Sequence, residues 1–342
     1  MKNIHARNVN EAYTIGLRML EEQGQLEMSR AGPVKTMPVP VTTSYQRPYE
    51  RVLFDAKRDC NPFFHLLESL WMLAGRNDVD WISEFSSNIV NYSDDGKTFH
   101  GAYGHRWRNH FGKDQLYELV TMLKRDPETR RAGLGMWDPR ADCNAEGKDF
   151  PCNMQIVFRW RSHGLDMTVY NRSNDAIWGA YGANAVHMSM LHEWMSTMIG
   201  AKQGIYYQVS NDFHAYVDVF HKVGVPQPMP DDPYSRGEVC AIPIIDDIER
   251  WNKELFAFME HPLDTGFTEE FFAGVARPMV QAWRAFKSKN LVAAQSHTQT
   301  ISAPDWRKAC NEWIIRRVER AASRSAGPTL AYDANAIRPK RG

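Results

Sequence analysis

Cys152 follows a proline in the stretch FPCNMQIVFRWRSHGLDMTVYNRSNDAIWGAYGAN, residues 150–184. MQIVFRWR reads as one strand, SHG as a turn and LDMTVYNR as the returning strand, so the thiol faces the end of the second strand across a hairpin. That end carries Arg172, Ser173 and Asp175. A lone cysteine is most often an inert buried hydrophobe. Beside a fixed cation its thiolate is stabilised and it becomes a candidate nucleophile. Arg172, with Arg130 and Arg131 near the preceding strand, could supply that field and clamp a phosphate by bidentate contacts. Glu68 stands in the apolar run LLESLWML, where burying an unpaired carboxylate costs on the order of several kcal/mol, which makes it a candidate proton donor or relay. His214 and Tyr216, two apart in SNDFHAY, share one face of a strand and could hold a sugar hydroxyl.

These groups need rigid elements to carry them. Apolar spacing predicts a helix over 10–23, and residues 26–53 read as loop and strand. PFFHLLESLWMLAG, apolar almost all round, predicts a buried helix from Pro62 with a glycine stop at Gly75. Residues 92–104 are turn-rich, 114–126 form an amphipathic helix, 130–138 a strand and 184–200 a mostly apolar helix. IYYQVSNDFHAYVDVF returns to strand and then helix, and 243–323 is largely helical before a flexible tail. The simplest account is an α+β catalytic domain over 1–225 and a helical extension of undetermined role over 226–342.

The bulk properties exclude other classes. The 41 Lys+Arg cancel the 41 Asp+Glu, which argues against charge-driven binding to nucleic acid or an acidic membrane. The five cysteines, at 60, 143, 152, 240 and 310, are odd in number and widely spaced, without a CxxC pair. Neither a disulfide framework nor a zinc ribbon is indicated, and a reduced, cytoplasmic setting is expected. The N-terminus lacks the apolar core of a signal peptide, and no apolar run is long enough to span a bilayer. His100, His105 and His110 are five apart, which scatters them around a helix, and His187 and His192 fail likewise, so no metal site is expected. GKT at 96–98 lacks the upstream glycine of a phosphate loop.

Taken in order, ESLWMLAG around Glu68, HGAYGHRWR around Tyr103, RR at 130–131, PC at 151–152, YNRSNDAIWG at 170–179, Asn184 and NDFHAY at 211–216 resemble the thymidylate synthase family. The resemblance implies that family's α/β fold, a large twisted mixed sheet with surrounding helices. It implies a homodimer with shared active sites, in which Arg130 and Arg131 of one subunit reach the phosphate site of the other. Cys152 would add to C6 of a pyrimidine nucleoside monophosphate, with Glu68 and Tyr103 as the other catalytic groups. Arg130, Arg131, Arg172 and Ser173 would hold the phosphate, His214 and Tyr216 the sugar and Asn184 the base edge, with Arg30 also among the substrate-binding residues. Asp175, Trp71 and Gly179 would meet the co-substrate, 5,10-methylenetetrahydrofolate, and no metal is implied.

Four departures from the family's synthases stand out. Asn153 replaces the histidine after the nucleophile, and GAYGAN has one residue more before Asn184 than the synthase pattern. The stretch SSNIVNYSDDG lacks a tryptophan, and the chain ends in AIRPKRG rather than a short apolar closing tail. The last two favour a site open to water, where water rather than hydride adds to the methylene left on the pyrimidine. The phage hydroxymethylase branch of the family does this and shares RSND at this chain's 172–175. An asparagine amide can donate to uracil O4 and accept from N3–H, so Asn184 points to dUMP. The expected activity is therefore hydroxymethylation of dUMP, for modified phage DNA. A dCMP or CMP hydroxymethylase, a thymidylate synthase and a non-catalytic nucleotide- or RNA-binding relative stand as alternatives.

Overall fold

The computed structural model describes residues 1–226 and 232–325, so the expected flexible tail from residue 326 lies outside the described residues. The chain opens with β1 (Lys2–Ala6) and α1 (Val9–Gln23), whose first N–H groups are capped by the Asn8 side chain. Strands β2 (Gln25–Ser29), β3 (Gly32–Thr36) and β4 (Val41–Tyr45) follow. Helix α2 (Pro62–Leu73) starts with Asn61 as cap and proline in its first turn, and Gly75 beyond it takes φ +75°. Short helices α3 (Val79–Ser83) and α4 (Tyr103–Arg108) and the amphipathic α5 (Gln115–Arg125) lead to β5 (Gly133–Gly135) and α6 (Pro139–Asp142). The hairpin is β6 (Asn153–Arg161) and β7 (Gly164–Asn171). After β8 (Asn174–Asp175), a π-helical segment, Ala176–Ala183, runs straight into α7 (Asn184–Ile199). Then come β9 (Gln203–Ser210), β10 (Phe213–Tyr216) and α8 (Val217–Val223). Helices α9 (Ile248–Glu260), α10 (Arg277–Lys287), α11 (Leu291–Gln299) and α12 (Pro304–Ser325) complete the described chain.

Six strands form a mixed sheet in the order β1-β4-β9-β7-β6-β5, with β1/β4 and β7/β9 parallel and the other pairs antiparallel. A second sheet, which sequence reading did not separate, has the order β2-β3-β10-β8. Period-two alternation explains the large sheet's two faces. Ile156, Phe158, Met167 and Val169 are fully buried, whereas Tyr170 on the opposite face is 43% exposed. The strand expected over 130–138 is only three residues long. There the Gln115 side chain takes both backbone groups of Gly135, accepting from its N–H at 3.0 Å and donating to its carbonyl at 2.9 Å, which closes the outer edge of the strand; Arg130 and Arg131 precede it in coil.

Helix α2 is buried because it is covered on several sides. It packs on α7 and α4, and the C-terminal helices close over its start, with Phe63 5.6 Å from both Trp283 and Trp313. Asp59, at φ +53°, accepts from Arg316, Arg317 and Arg320 and so ties α12 to the loop that enters α2. The same hydrophobic cluster runs from β1 to Ile314 in α12. Among the described residues no helix is long and apolar enough to cross a membrane.

The α2–α4 contact is as tight as it can be. A β-carbon on Gly104 would lie 2.0 Å from the Met72 carbonyl oxygen. Gly104→Ala is therefore expected to push α4, and Tyr103 with it, off α2. A clear fall in thermal denaturation midpoint together with lost activity is the expected result, and an unchanged midpoint would show that the helices do not approach so closely.

Candidate active site

The site begins where the hairpin closes. The Arg172 N–H donates to the Cys152 carbonyl at 3.0 Å. The Arg172 side chain folds back over the same turn, Nε donating to the Pro151 carbonyl at 3.1 Å and Nη2 to that of Phe150 at 3.3 Å. Its Nη2 then lies 3.8 Å from Cys152 Sγ, and the Trp137 ring flanks the guanidinium at 5.8 Å. The cation is thus fixed beside the thiol while Arg172 remains exposed. Burial nevertheless pushes the Cys152 thiol above its ordinary pKa; Arg172 and Arg30 oppose this, and Asp149 reinforces it. The sequence reading counted the cations alone; in the free protein desolvation is the larger effect.

Two short strands bring the next groups to the thiol. β8 and β10 pair in parallel, with His214 opposite Asp175, so the end of the hairpin and SNDFHAY become neighbours. The His214 and Tyr216 rings stand perpendicular, 5.8 Å apart, on one face of β10. Burial opposes a charged His214, but Asp212, with Oδ1 3.4 Å from Nδ1, outweighs it and holds the pKa above the usual imidazole value. Burial raises the Tyr216 pKa; the charges of Asp175, Tyr92 and Cys152 add to the rise and Arg30 opposes it. Arg30 projects from the β2–β3 turn. Tyr103, at the start of α4, is half-buried, and burial lifts its pKa well above the ordinary phenol value, with the charge of Cys152 adding to the rise.

Asp175 has two distinct oxygens. Oδ1 accepts from the N–H groups of Ile177, at 2.8 Å, and Trp178, at 2.5 Å, capping the π-helical segment. Oδ2 is buried without a hydrogen-bond partner, and burial pushes the carboxyl pKa up. Beside it Trp178 is 50% exposed, with the Arg58 guanidinium 4.1 Å over its ring. An orphaned acceptor next to an open indole suits a flat, N–H-bearing heteroaromatic ring.

The π-helical segment also accounts for the extra residue in GAYGAN. A π-turn holds one residue more than the α-helical path, so the insertion is absorbed and Asn184 begins α7 at the cleft. The Asn184 Nδ2 donates to Asn174 Oδ1 at 3.1 Å. Three residues on, along the same helix face, His187 Nε2 lies 3.0 Å from Glu68 Oε2, although neither atom has an aligned hydrogen bond. Glu68 is therefore neither a free helix-edge acid nor alone. Sequence reading set His187 aside with His192; its i+3 spacing from Asn184 was the available signal. Asn174, Arg58, Trp137 and Asp149 were also missed, and each acts through contacts distant in sequence.

Other expected residues fall elsewhere. Arg130 and Arg131 are exposed, and among the described residues neither side chain makes an ion pair or hydrogen bond. Trp71 is buried, with its indole N–H on Asp78 Oδ1 at 3.3 Å and its ring edge on Phe99, so it braces α2 rather than presenting an open face. Gly179 leaves room: a β-carbon there would lie 2.9 Å from Asn174 Oδ1. Ser173 is partly buried beside Arg172. The three histidines do not scatter as expected, because α4 ends at Arg108 and the turn returns His110 to within 6.1 Å of His105, while His100 bonds Asp142 at 2.7 Å. Among the described residues no His, Cys, Asp or Glu group could hold a metal.

The thymidylate synthase family model matches residues 23–242. The chain is 48% identical to the deoxyuridylate hydroxymethyltransferase of Pseudomonas phage M6, over 97% of this chain and 100% of that relative. It is 40% identical to the deoxyuridylate hydroxymethyltransferase of Bacillus phage SP01, over 52% of this chain and 50% of that one. The solved structure of thymidylate synthase from T4 phage shares the fold, with TM-score 0.54 and 20% identity over 64% of this chain and 82% of that chain.

The thiol's environment is directly measurable. Alkylation of Cys152, taken as the difference between wild type and Cys152→Ala, should inflect above the free-thiol value of about 8.5. Arg172→Ala should move the inflection higher still. An inflection at or below the free-thiol value would mean that the cations do prevail over burial.

Proposed function

This chain belongs to the thymidylate synthase family, and from that premise we propose that it hydroxymethylates C5 of dUMP, with the cleft at Cys152 as its active site. The observation that carries the site is the juxtaposition of Cys152 Sγ and the Arg172 guanidinium, 3.8 Å apart, in a chain matched over its length by a deoxyuridylate hydroxymethyltransferase.

Cys152 adds to C6 of the pyrimidine, which makes C5 a carbon nucleophile. Arg172, Ser173 and Arg30 hold the 5′-phosphate, while His214 and Tyr216 hold the sugar hydroxyl. Pinning both ends of one nucleotide on a rigid hairpin and its neighbouring strand supplies rate by proximity. Asn184 meets the base edge. 5,10-Methylenetetrahydrofolate supplies the one-carbon unit at the oxidation level of formaldehyde. Asp175 Oδ2, an acceptor without a protein donor, and the open face of Trp178 are the groups that hold its ring. C5 bonds to the one-carbon unit, and loss of the C5 proton with cleavage of the carbon–nitrogen bond to the folate leaves a methylene on the pyrimidine and releases tetrahydrofolate. The Glu68–His187 pair positions the water that adds there, and departure of the Cys152 sulfur restores the aromatic base. The product is 5-hydroxymethyl-dUMP, and the folate leaves as tetrahydrofolate because no hydride is transferred.

Two copies are inferred to share their sites. Exposed Arg130 and Arg131, without partners among the described residues of their own chain, are free to reach the phosphate in a second subunit. The half-open outer face of the large sheet, with Tyr170, is the surface for that pairing. Both substrates are soluble metabolites, so the reaction belongs in the cytoplasm, and its product supplies modified DNA.

Incubation with dUMP and 5,10-methylenetetrahydrofolate in ¹⁸O-labelled water tests the chemistry. Mass spectrometry should find hydroxymethyl-dUMP carrying ¹⁸O in wild type and none in Cys152→Ala. Formation of thymidylate with dihydrofolate would replace the reading with methyl transfer.

A further inference from the structure

We propose that Asn174 is a positioning residue that fixes the sense of the Asn184 amide and so selects uracil over cytosine. The inference rests on the reading of Asn184 as the group that meets the base edge. Three buried side chains form a relay behind the cleft. Asn184 Nδ2 donates to Asn174 Oδ1 at 3.1 Å, and Asn174 Nδ2 donates to Ser210 Oγ at 2.9 Å. Asn184 is 7% exposed, and Asn174 and Ser210 are each 2% exposed.

The relay has little freedom to shift. The Asn174 backbone N–H donates to the Asp212 carbonyl at 2.8 Å, and the residue pairs with Phe213 in the second sheet. Ser210 ends β9 in register with Asn171 of β7. Gly179 covers the Asn174–Asn184 bond, and a β-carbon there would crowd Asn174 Oδ1 at 2.9 Å and Asn184 Nδ2 at 3.6 Å. The glycine is thus required by the amide pair itself.

The consequence follows from the hydrogen-bond inventory of an amide, one acceptor and two N–H donors. With one N–H of Asn184 committed to Asn174, the oxygen and the other N–H remain side by side for a base. Uracil presents N3–H and O4, a donor and an acceptor; cytosine presents N3 and an amine, the same pair reversed. The base is fixed by its phosphate and by C6 at Cys152, so exchanging uracil for cytosine requires the amide to turn over. Turning Asn184 alone sets its oxygen against Asn174 Oδ1, acceptor to acceptor, in a buried site. Turning both requires two packed amides to rotate together and Ser210 to become the donor.

Parallel kcat/KM measurements on dUMP and dCMP test this. Asn174→Ala should lower the dUMP preference by roughly ten- to hundredfold, the cost of an unmade buried hydrogen bond. Ser210→Ala should move the ratio the same way by less, and it carries the test if Asn174→Ala does not fold. Asn174→Asp, still able to accept from Asn184 Nδ2 while the Ser210 hydroxyl donates, should retain the preference. A ratio left unchanged in both Asn174→Ala and Ser210→Ala overturns the relay. Asn184→Asp separates the two layers. If it shifts preference toward dCMP while the relay variants do not, only the relay is wrong. If it leaves the ratio unchanged, the base-edge reading fails and the relay with it.

Discussion

The backbone hydrogen bond from Arg172 to the Cys152 carbonyl, at the open end of the β6–β7 hairpin, is the contact on which the site depends. It fixes the Cys152 thiol and the Arg172 guanidinium side by side at one end of a rigid ladder. Eight further residue pairs back it, down to Arg161 and Gly164, with a register shift only between Asn153 and Gln155. β7 is then held by β9 on its other edge, so a shift of the hairpin would move every buried side chain of the central sheet to its wrong face. Function here is coupled to sheet register, which burial enforces far more strongly than any contact in the cleft.

Around this ladder the protein buries polar groups in pairs. Arg106 is fully buried because Asp142, also buried, accepts from it at 2.8 and 3.0 Å. Glu193 is held by Arg51, and the amide chain Asn184–Asn174–Ser210 satisfies itself. Such pairing is what an interior of low polarity demands. Unsatisfied buried polar atoms nevertheless occur through the interior, Trp107 Nε1, Trp251 Nε1 and part of the Arg51 guanidinium among them, and in the cleft they include Asp175 Oδ2 and the Glu68–His187 pair.

The C-terminal helices brace the cleft by packing. Trp283 and Trp313 pack on Phe63 at the start of α2, and three arginines of α12 converge on Asp59. The loop between them carries Arg58 onto Trp178, so the far end of the chain stabilises one wall of the cleft. Trp194 on α7 likewise donates to Asn252 of α9 at 2.8 Å, which locks the helix that bears Asn184 and His187.

Local sequence determined the hairpin, the buried helix around Glu68, the apolar helix after Asn184 and the C-terminal helices, because period, caps and turn residues act within a few positions of one another. It also made Cys152, Arg172, Asp175, His214 and Tyr216 visible, since they sit at strand ends where chemistry-bearing residues break an apolar pattern. Tertiary structure alone decided which distant groups meet. The parallel β8–β10 pairing that sets Asp175 opposite His214 joins segments nearly forty residues apart, a span that carries no local signal. His187 is just another polar residue on a helix until α2 packs against it. Asn174 reads as an ordinary turn residue until Ser210 and Asn184 close on either side. The sign of the Cys152 shift was likewise beyond the sequence, because charges can be counted along a chain but burial exists only once the chain has folded.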